Sequence, residues 1–240
     1  MDRRPRAYVL ACVQHDGLLL QHASRELQAD CEVVAAAVRQ NGEALQFAAE
    51  ALKADRTFML ATVQQYNHAL KYAEEALKAG REFVLAAVRQ NGFALEHVGL
   101  EFQGDREVVL AAVQKHGRAL LYAAEALKAD REVVLAAVQN DGHALMHAAK
   151  ALKADRAIVI AAVQQDGRAL FYAVAALKAD HEVVLAAVQN HGCAGLWYAA
   201  DALKADREVV LAAVGNCGSA LNFTSLTLQA DRAVVLVAVQ

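Results

Sequence analysis

Apolar residues recur along the chain at a constant interval. A valine that closes the segment Val-Val-Leu-Ala-Ala-Val, or a close variant of it, returns every 25 residues, with a single step of 26. A constant interval of this length predicts a repeat protein in which each copy buries its apolar face against its neighbours. The chain holds about nine and a half copies, and the marker valines are Val13, Val38, Val63, Val88, Val113, Val138, Val163, Val188, Val214 and Val239.

The copy at residues 130–154 shows which elements to expect in each repeat. Its first half predicts a helix from about Arg131 to Asn140, because Val134, Ala137 and Val138 follow the i, i+3, i+4 spacing of one helix face. Aspartate recurs at the position before this helix, where it can accept hydrogen bonds from the first amides.

The second half of the copy predicts another helix, from about His143 to Lys153, that buries Leu145, Ala148 and Leu152. The Leu145 position is leucine in all nine copies. Gly142 lies between the two helices and is expected to end the first one in the left-handed conformation. Two helices in 25 residues are short, so each copy depends on stacking for its stability.

These elements predict an all-α protein, an α-solenoid of short helical hairpins. A leucine-rich repeat has a similar period, but the apolar residues of this chain do not alternate as in a strand. No proline-rich or serine-rich linker divides the chain, so we expect a single continuous helical repeat array over residues 1–240. The step of 26 falls at 193–195, where one extra residue should produce a local bulge.

Composition narrows the classes of function. Lys and Arg total 24 and Asp and Glu total 27, so a net charge of -3 gives little attraction to nucleic acid or to an anionic membrane. Apolar runs stay well below the roughly 18 residues of a membrane span, and the start of the chain is poor material for a secretory signal. We expect an intracellular, cytoplasmic protein with no membrane partner. The cysteines should be reduced thiols, because their spacing does not fit a disulfide scaffold; they are Cys12, Cys31, Cys193 and Cys217.

Motifs that carry chemistry are absent from the sequence. There is no nucleophile elbow, phosphate-binding loop or dinucleotide-binding glycine pattern. His143 and His147 have an i, i+4 spacing that can chelate zinc, but the sequence supplies no third ligand beside them. His191, Cys193 and Cys217 are an equally weak combination. We therefore expect no catalytic residues, no cofactor and no metal.

One surface position of the second helix changes character along the array. In the first four copies it is Gln21, Gln46, Lys71 and Glu96, and in the last it is Asn222. Between them it is apolar in four successive copies, which makes a candidate partner-binding stripe on the solvent side. The alternative is that these side chains lie against a neighbouring helix. The four candidates are Leu121, Met146, Phe171 and Trp197.

Two further columns of residues have structural explanations. The next position along carries a ring in every copy, and rings at such a position are expected to pack between repeats: His22, Phe47, Tyr72, His97, Tyr122, His147, Tyr172, Tyr198 and Phe223. Lysines and arginines form a row near the turns between repeats and could follow phosphates, but aspartates and glutamates of the same turns should cancel their charge.

The pattern Asp-Arg-Glu-Val-Val-Leu-Ala-Ala-Val-Gln-x-x-Gly-x-Ala-Leu-x-x-Ala, as at residues 130–148, resembles a helical repeat family catalogued as domain of unknown function 4116. The resemblance extends over essentially the whole chain. It implies the repeat class and brings with it no enzymatic role, cofactor or catalytic residue. Departures at Gly80, at Gln103-Gly104 and at residues 225–228 affect only the structural pattern.

Three functional hypotheses remain. The first is a non-enzymatic scaffold that binds an unidentified protein or peptide along the exposed surface of the second helices. The second is a structural spacer, or a piece of a larger repeat protein. The third and weakest is nucleic-acid binding through the row of lysines and arginines.

Overall fold

A computed structural model describes residues 5–240. All of the regular structure in this range is helical, and within each of two compact units the repeats stack as a helical solenoid, as the period predicts. Each copy begins with an α-helix, which we call the first helix. The first helices are Arg6–His15, Cys31–Gln40, Arg56–Gln65, Arg81–Gln90, Arg106–Lys115, Arg131–Asn140, Arg156–Gln165, His181–Asn190, Arg207–Asn216 and Arg232–Ala238.

The second half of each copy is not one helix but two shorter segments. The first segment is a 3₁₀ helix in most copies: Gly17–His22, Gly42–Phe47, Ala69–Tyr72, Gly92–His97, Gly117–Tyr122, Gly142–His147, Gly167–Tyr172 and Gly218–Phe223. The second segment is a single turn: Arg25–Gln28, Glu50–Lys53, Glu75–Lys78, Leu100–Gln103, Glu125–Lys128, Leu152–Ala154, Ala175–Lys178, Leu203–Ala205 and Leu226–Gln229.

The prediction of one helix from His143 to Lys153 is therefore wrong. The chain leaves the helical conformation at Ala148, which is extended with φ −66° and ψ 151°. The next amide, that of Ala149, donates a hydrogen bond to the carbonyl oxygen of Lys128 in the preceding copy, at 2.8 Å. Equivalent bonds join other neighbouring copies, for example Val174 to Lys153 at 3.2 Å. The helix breaks because this amide bonds to the preceding copy instead of to its own turn.

The predicted caps of the first helices are confirmed. Asp130 accepts hydrogen bonds from the amides of Glu132 at 2.9 Å and Val133 at 3.0 Å. Asp155, Asp180 and their equivalents do the same for amides in the first turn of their helices. Each cap satisfies amides that have no partner within the helix.

The prediction that the glycines end the first helices in the left-handed conformation is wrong, but the structure gives another reason for glycine at these positions. Every glycine in the described residues has a negative φ, so Gly142 does not supply a left-handed turn. A Cβ atom on Gly142 would instead lie 2.4 Å from the carbonyl oxygen of Ala162, in the first helix of the next copy. Gly167 has the same relation to Ala187, at 2.3 Å. Glycine is required because two copies approach each other closely at this point.

The core follows the sequence pattern closely. Val134, Ala137, Val138 and Leu145 are fully buried, as predicted. The predicted burial of Leu152 is only partly correct, because this residue is half-buried. The first helices pack against the 3₁₀ helices, and the single-turn segments contact the first helix that follows them.

The extra residue near 193–195 changes the type of helix rather than producing a bulge. In this copy an α-helix, Gly192–Tyr198, replaces the 3₁₀ helix, and the amide of Gly195 donates to the carbonyl oxygen of His191 at 2.8 Å. Six residues of 3₁₀ helix and seven of α-helix each make about two turns. The insertion is thus absorbed, and Tyr198 keeps its place in the ring column.

The chain divides into two compact units, one ending at Lys115 and one running from His116 to Gln240. Within each unit, an arginine at the start of a first helix forms an ion pair with the capping aspartate of the next copy. Arg6 binds Asp30 at 2.7 Å, and Arg156 binds Asp180 at 2.9 Å. The proposed continuity of the array over residues 1–240 stays a prediction.

These ion pairs predict acid sensitivity. The Arg6 guanidinium and the Val33 and Glu32 amides hold the pKa of Asp30 at about 2, below its ordinary value of 3.8, and Arg156 likewise lowers the pKa of Asp180. Folding thus favours the ionised carboxylates, and this stabilisation is present above about pH 4 and lost as the pH falls through the folded pKa.

We expect the urea midpoint to fall between about pH 5 and about pH 2.5, and to fall less in the Asp30→Asn/Asp180→Asn variant. Asparagine also caps helices well, so this variant removes the charge and keeps the cap. An equal pH dependence in the variant and the wild type would contradict the assignment to these two carboxylates.

Candidate functional site

The four candidate residues lie in the second unit, at the same position of four successive copies. Leu121, Met146 and Phe171 belong to 3₁₀ helices, and Trp197 belongs to the α-helix that replaces one. Their exposed fractions are 45%, 43%, 53% and 57%. A neighbouring helix therefore does not cover these side chains. We call the four residues the apolar stripe.

Rings of the neighbouring column support the apolar stripe. The centroid of Phe171 lies 5.2 Å from that of Tyr198 in the next copy, and the Trp197 centroid lies 4.8 Å from that of Phe223. Phe223 meets Trp197 edge-on, an arrangement that aromatic rings favour. The ring column is half-buried from Phe47 onward, whereas His22 is exposed. Its members Tyr198 and Phe223 hold the exposed rings of Phe171 and Trp197 in place.

A shallow hollow of about 230 Å³ lies beside Trp197. Its walls come from the copy that carries the insertion and from the following copy. The side chains that line it are His191, Cys193, Ala194, Trp197, Tyr198 and Phe223. It is apolar on most of its surface and open to one side, so it could receive one side chain of a partner.

The expectation of four reduced thiols is wrong for Cys193 and Cys217, which form a disulfide with a Cα–Cα distance of 5.8 Å. In this contact, the residue after the recurring glycine of one copy faces the residue before the glycine of the next copy. Arg118 and Asp141 form an ion pair at the same two positions, 2.7 Å apart. The spacing of the cysteines along the sequence did not predict this disulfide, because the contact depends on how the copies stack. Cys12 and Cys31 are free.

Lysines of the single-turn segments flank the apolar stripe. Lys178 Nζ lies 5.4 Å from the Phe171 ring centroid, and Lys153 Nζ donates to the carbonyl oxygen of Met146 at 2.6 Å. Burial lowers the pKa of Lys178 from its ordinary value. In other copies a carboxylate three residues earlier pairs with the lysine, as Glu125 does with Lys128. Lys153 and Lys178 have Lys150 and Ala175 at that position.

The arginines of the row between repeats are engaged with acidic side chains. Besides the capping aspartate, Arg156 binds Glu182 at 2.5 Å, and Arg81 binds Asp105 and Glu107 at 3.0 and 2.7 Å. Opposite charges so close together leave little net positive potential for a phosphate backbone. The predicted cancellation of charge is confirmed for these arginines.

His143 and His147 do not converge. They belong to a 3₁₀ helix, in which residues four apart point about 120° away from each other. His143 turns instead towards the next copy, with Nδ1 3.2 Å from Asp166 and its ring 5.9 Å from that of Tyr172. Desolvation by burial lowers the pKa of His147.

The contact between His143 and Tyr172 recurs elsewhere with other residues. It joins the position after the glycine to the ring column of the next copy, 29 residues later. Tyr72 donates a hydrogen bond to Glu43 across this interval, and His68 meets His97 across it. A cluster of His68, Glu96 and His97 results, which the sequence reasoning missed. The sequence could have revealed this cluster only through a comparison of the residue after the glycine with the ring-column residue that follows it 29 positions later.

No helix of residues 5–240 combines the length and the apolar character needed to cross a membrane.

The fold and the stripe together define a helical repeat protein with one apolar surface row. The model of the family described as Domain of unknown function (DUF4116) matches six segments of the chain: residues 6–53, 30–78, 80–128, 130–174, 155–204 and 206–240. The chain belongs to this family, as the sequence resemblance predicts. Comparison with curated proteins and with solved structures returns no match.

Proposed function

We propose that the protein is a non-enzymatic repeat scaffold that binds a protein or peptide partner along the apolar stripe. The observation that carries this proposal is the exposure of four apolar side chains at one position of four successive copies. Single exposed apolar residues are ordinary, but a row of them is typical of an interaction surface.

The chemistry of the stripe suits binding anchors. Tryptophan is enriched among the residues that dominate binding energies, and rings offer a large contact area at a low entropic cost. Phe171 and Trp197 are already held by Tyr198 and Phe223. A partner would therefore meet a surface that needs little reordering on binding.

The flanking charges specify the partner further. Lys150 is exposed, and Lys153 and Lys178 have no carboxylate three residues before them, although the equivalent lysines elsewhere do. The positive charge beside the middle of the stripe therefore favours a partner that carries acidic side chains. The segment that fits is an extended or helical peptide with apolar residues for the stripe and Asp or Glu for the lysines.

Nucleic-acid binding is the weaker alternative, because the arginines of the row are paired with carboxylates. A structural spacer is the other alternative. It makes a different prediction, namely that the stripe can be made polar without any loss of binding.

The test is selection of peptides from a displayed random library on the full chain, followed by affinity measurement on the Phe171→Ser/Trp197→Ser variant. We expect the selected peptides to be rich in apolar and acidic residues. The double variant should weaken their binding more than about 30-fold, because losing a hot-spot side chain costs about 2 kcal/mol or more. Leu226→Ser is the matched control, since Leu226 is 81% exposed in the same unit but outside the stripe.

Folding of each variant is checked by far-ultraviolet circular dichroism. If the double variant unfolds, Lys150→Glu/Lys178→Glu tests the same surface through its charges, and binding should weaken and lose its dependence on salt. Peptides that bind the charge-reversal variant and the wild type equally, or a library that yields no binder, would overturn the proposal.

A further inference from the structure

Two imidazole rings and a carboxylate converge in the unit that ends at Lys115. Nδ1 of His68 lies 3.0 Å from Nε2 of His97. Oε2 of Glu96 lies 3.6 Å from the first nitrogen and 3.8 Å from the second. We propose that His68, Glu96 and His97 form a zinc site whose fourth coordination position is open to solvent.

The three separations are close to those that a tetrahedral ion requires. Zinc bonds to nitrogen and oxygen are about 2.0–2.2 Å long, so two ligand atoms of one tetrahedral ion lie roughly 3.3 Å apart. The separations in the cluster differ from this value by about 0.5 Å or less, which small rotations of the side chains can remove.

The position of Glu96 is informative in this respect. A carboxylate that accepted a hydrogen bond from either imidazole would lie about 2.8 Å from its nitrogen. Glu96 lies beyond that distance from both rings and nearly midway between them. This placement suits a third ligand of a shared ion better than an acceptor for one ring.

Local structure places the three side chains. Glu96 and His97 are the last two residues of the 3₁₀ helix Gly92–His97. In the preceding copy Asn67 occupies the glycine position, and the 3₁₀ helix starts only at Ala69, so that His68 precedes it. Buried Asn91 holds this turn, because its amide nitrogen donates to Asn67 Oδ1 at 2.6 Å and to the carbonyl oxygen of Val63 at 3.2 Å.

Neighbouring side chains restrict the ring of His68 and leave the cluster accessible. The Tyr66 ring meets the His68 ring edge-on, with centroids 5.7 Å apart, and the Tyr66 hydroxyl donates to Glu43 at 2.5 Å. The side chains of His68, Glu96 and His97 are 49%, 33% and 17% exposed. An ion can thus enter from solvent while one ligand stays well packed.

The ligand set favours zinc over calcium and magnesium. Two imidazoles and one carboxylate suit zinc, whereas calcium and magnesium prefer oxygen ligands alone. The positive charges of Lys71 and Lys78 act on His97 and oppose a cation. The negative charge of Glu96 is therefore needed to offset them, and its loss should weaken binding even though glutamine keeps the shape.

The experiment is titration of the full chain with Zn²⁺ by calorimetry and with Co²⁺ by visible absorption. We expect one ion per chain and the absorption of tetrahedral cobalt. His97→Tyr should weaken zinc binding by more than about 100-fold. The loss of a residue that only hydrogen-bonds to a metal ligand costs about 10–100-fold, so a larger effect indicates the loss of a ligand itself. Tyrosine occupies the same position in other copies, at Tyr72 and Tyr122, so this variant is expected to fold.

His147→Tyr is the matched control, because His147 occupies the same column in the other unit. It should leave the affinity unchanged, and Glu96→Gln should lower it. Three results would overturn the proposal: no binding to the wild type, equal binding to His97→Tyr, or a cobalt spectrum with thiolate charge transfer from Cys12 or Cys31. None of these results bears on the apolar stripe, so the two proposals can fail separately.

Discussion

Gly142→Ala is expected to lower the free energy of unfolding by about 3 kcal/mol, because the new methyl group overpacks a contact between backbones. The added Cβ would lie 2.4 Å from the carbonyl oxygen of Ala162 and 3.1 Å from the amide nitrogen of Asp166. Neither atom is the end of a flexible side chain, so relief requires the two copies to separate. Urea denaturation of the variant and the wild type measures the effect.

Gly215→Ala is the control for this experiment. Gly215 lies within the first helix Arg207–Asn216, and its added Cβ would meet only Val237, at 3.7 Å. Alanine there should stabilise the protein by about 0.5–1 kcal/mol, as it does in exposed helix interiors. If the two substitutions had the same effect, close approach of the copies would not explain the glycine at position 142.

Leu145→Ala is expected to cost about 2–5 kcal/mol, the range for a fully buried leucine whose removal leaves a cavity. Leu145 is completely buried, in a 3₁₀ helix that packs against its own first helix and against that of the next copy. Because stability in a repeat array depends on contacts between neighbours, the loss should also broaden the urea transition by uncoupling adjacent copies.

Leu221→Ala tests the same explanation at a less buried site. Leu221 occupies the equivalent position of the last copy and is half-buried. Its truncation removes the same atoms but creates less of a cavity, so we expect a smaller loss of stability than at Leu145. Equal losses at both positions would show that burial between copies does not decide the cost.

Much of the candidate binding surface could be predicted from equivalent positions of the repeats. Leu121, Met146, Phe171 and Trp197 were identified as an apolar row from their column alone, and all four are exposed. The helix assumed in that prediction was wrong, however. In a 3₁₀ helix the residue after the buried leucine also points away from the core. The apolar stripe is therefore exposed in either type of helix.

The cluster of His68, Glu96 and His97 could not be found by searching for local metal motifs. The two histidines are 29 residues apart and belong to different copies. The nearby pair that does have a suitable local spacing, His143 and His147, points in different directions. Stacking of copies decides which side chains meet, and the stacking offset cannot be read from one copy.

By itself, the sequence determined the period, the capped first helices and the buried positions such as Val138 and Leu145. These depend on side-chain polarity and on hydrogen bonds within one copy, which are local properties. Only the tertiary structure decided how the second half of each copy breaks at Ala148, why Gly142 must lack a side chain, and which residues pair between copies, Cys193 with Cys217 among them. All three depend on atoms of a neighbouring copy, whose distance and rotation result from packing rather than from local conformational preference.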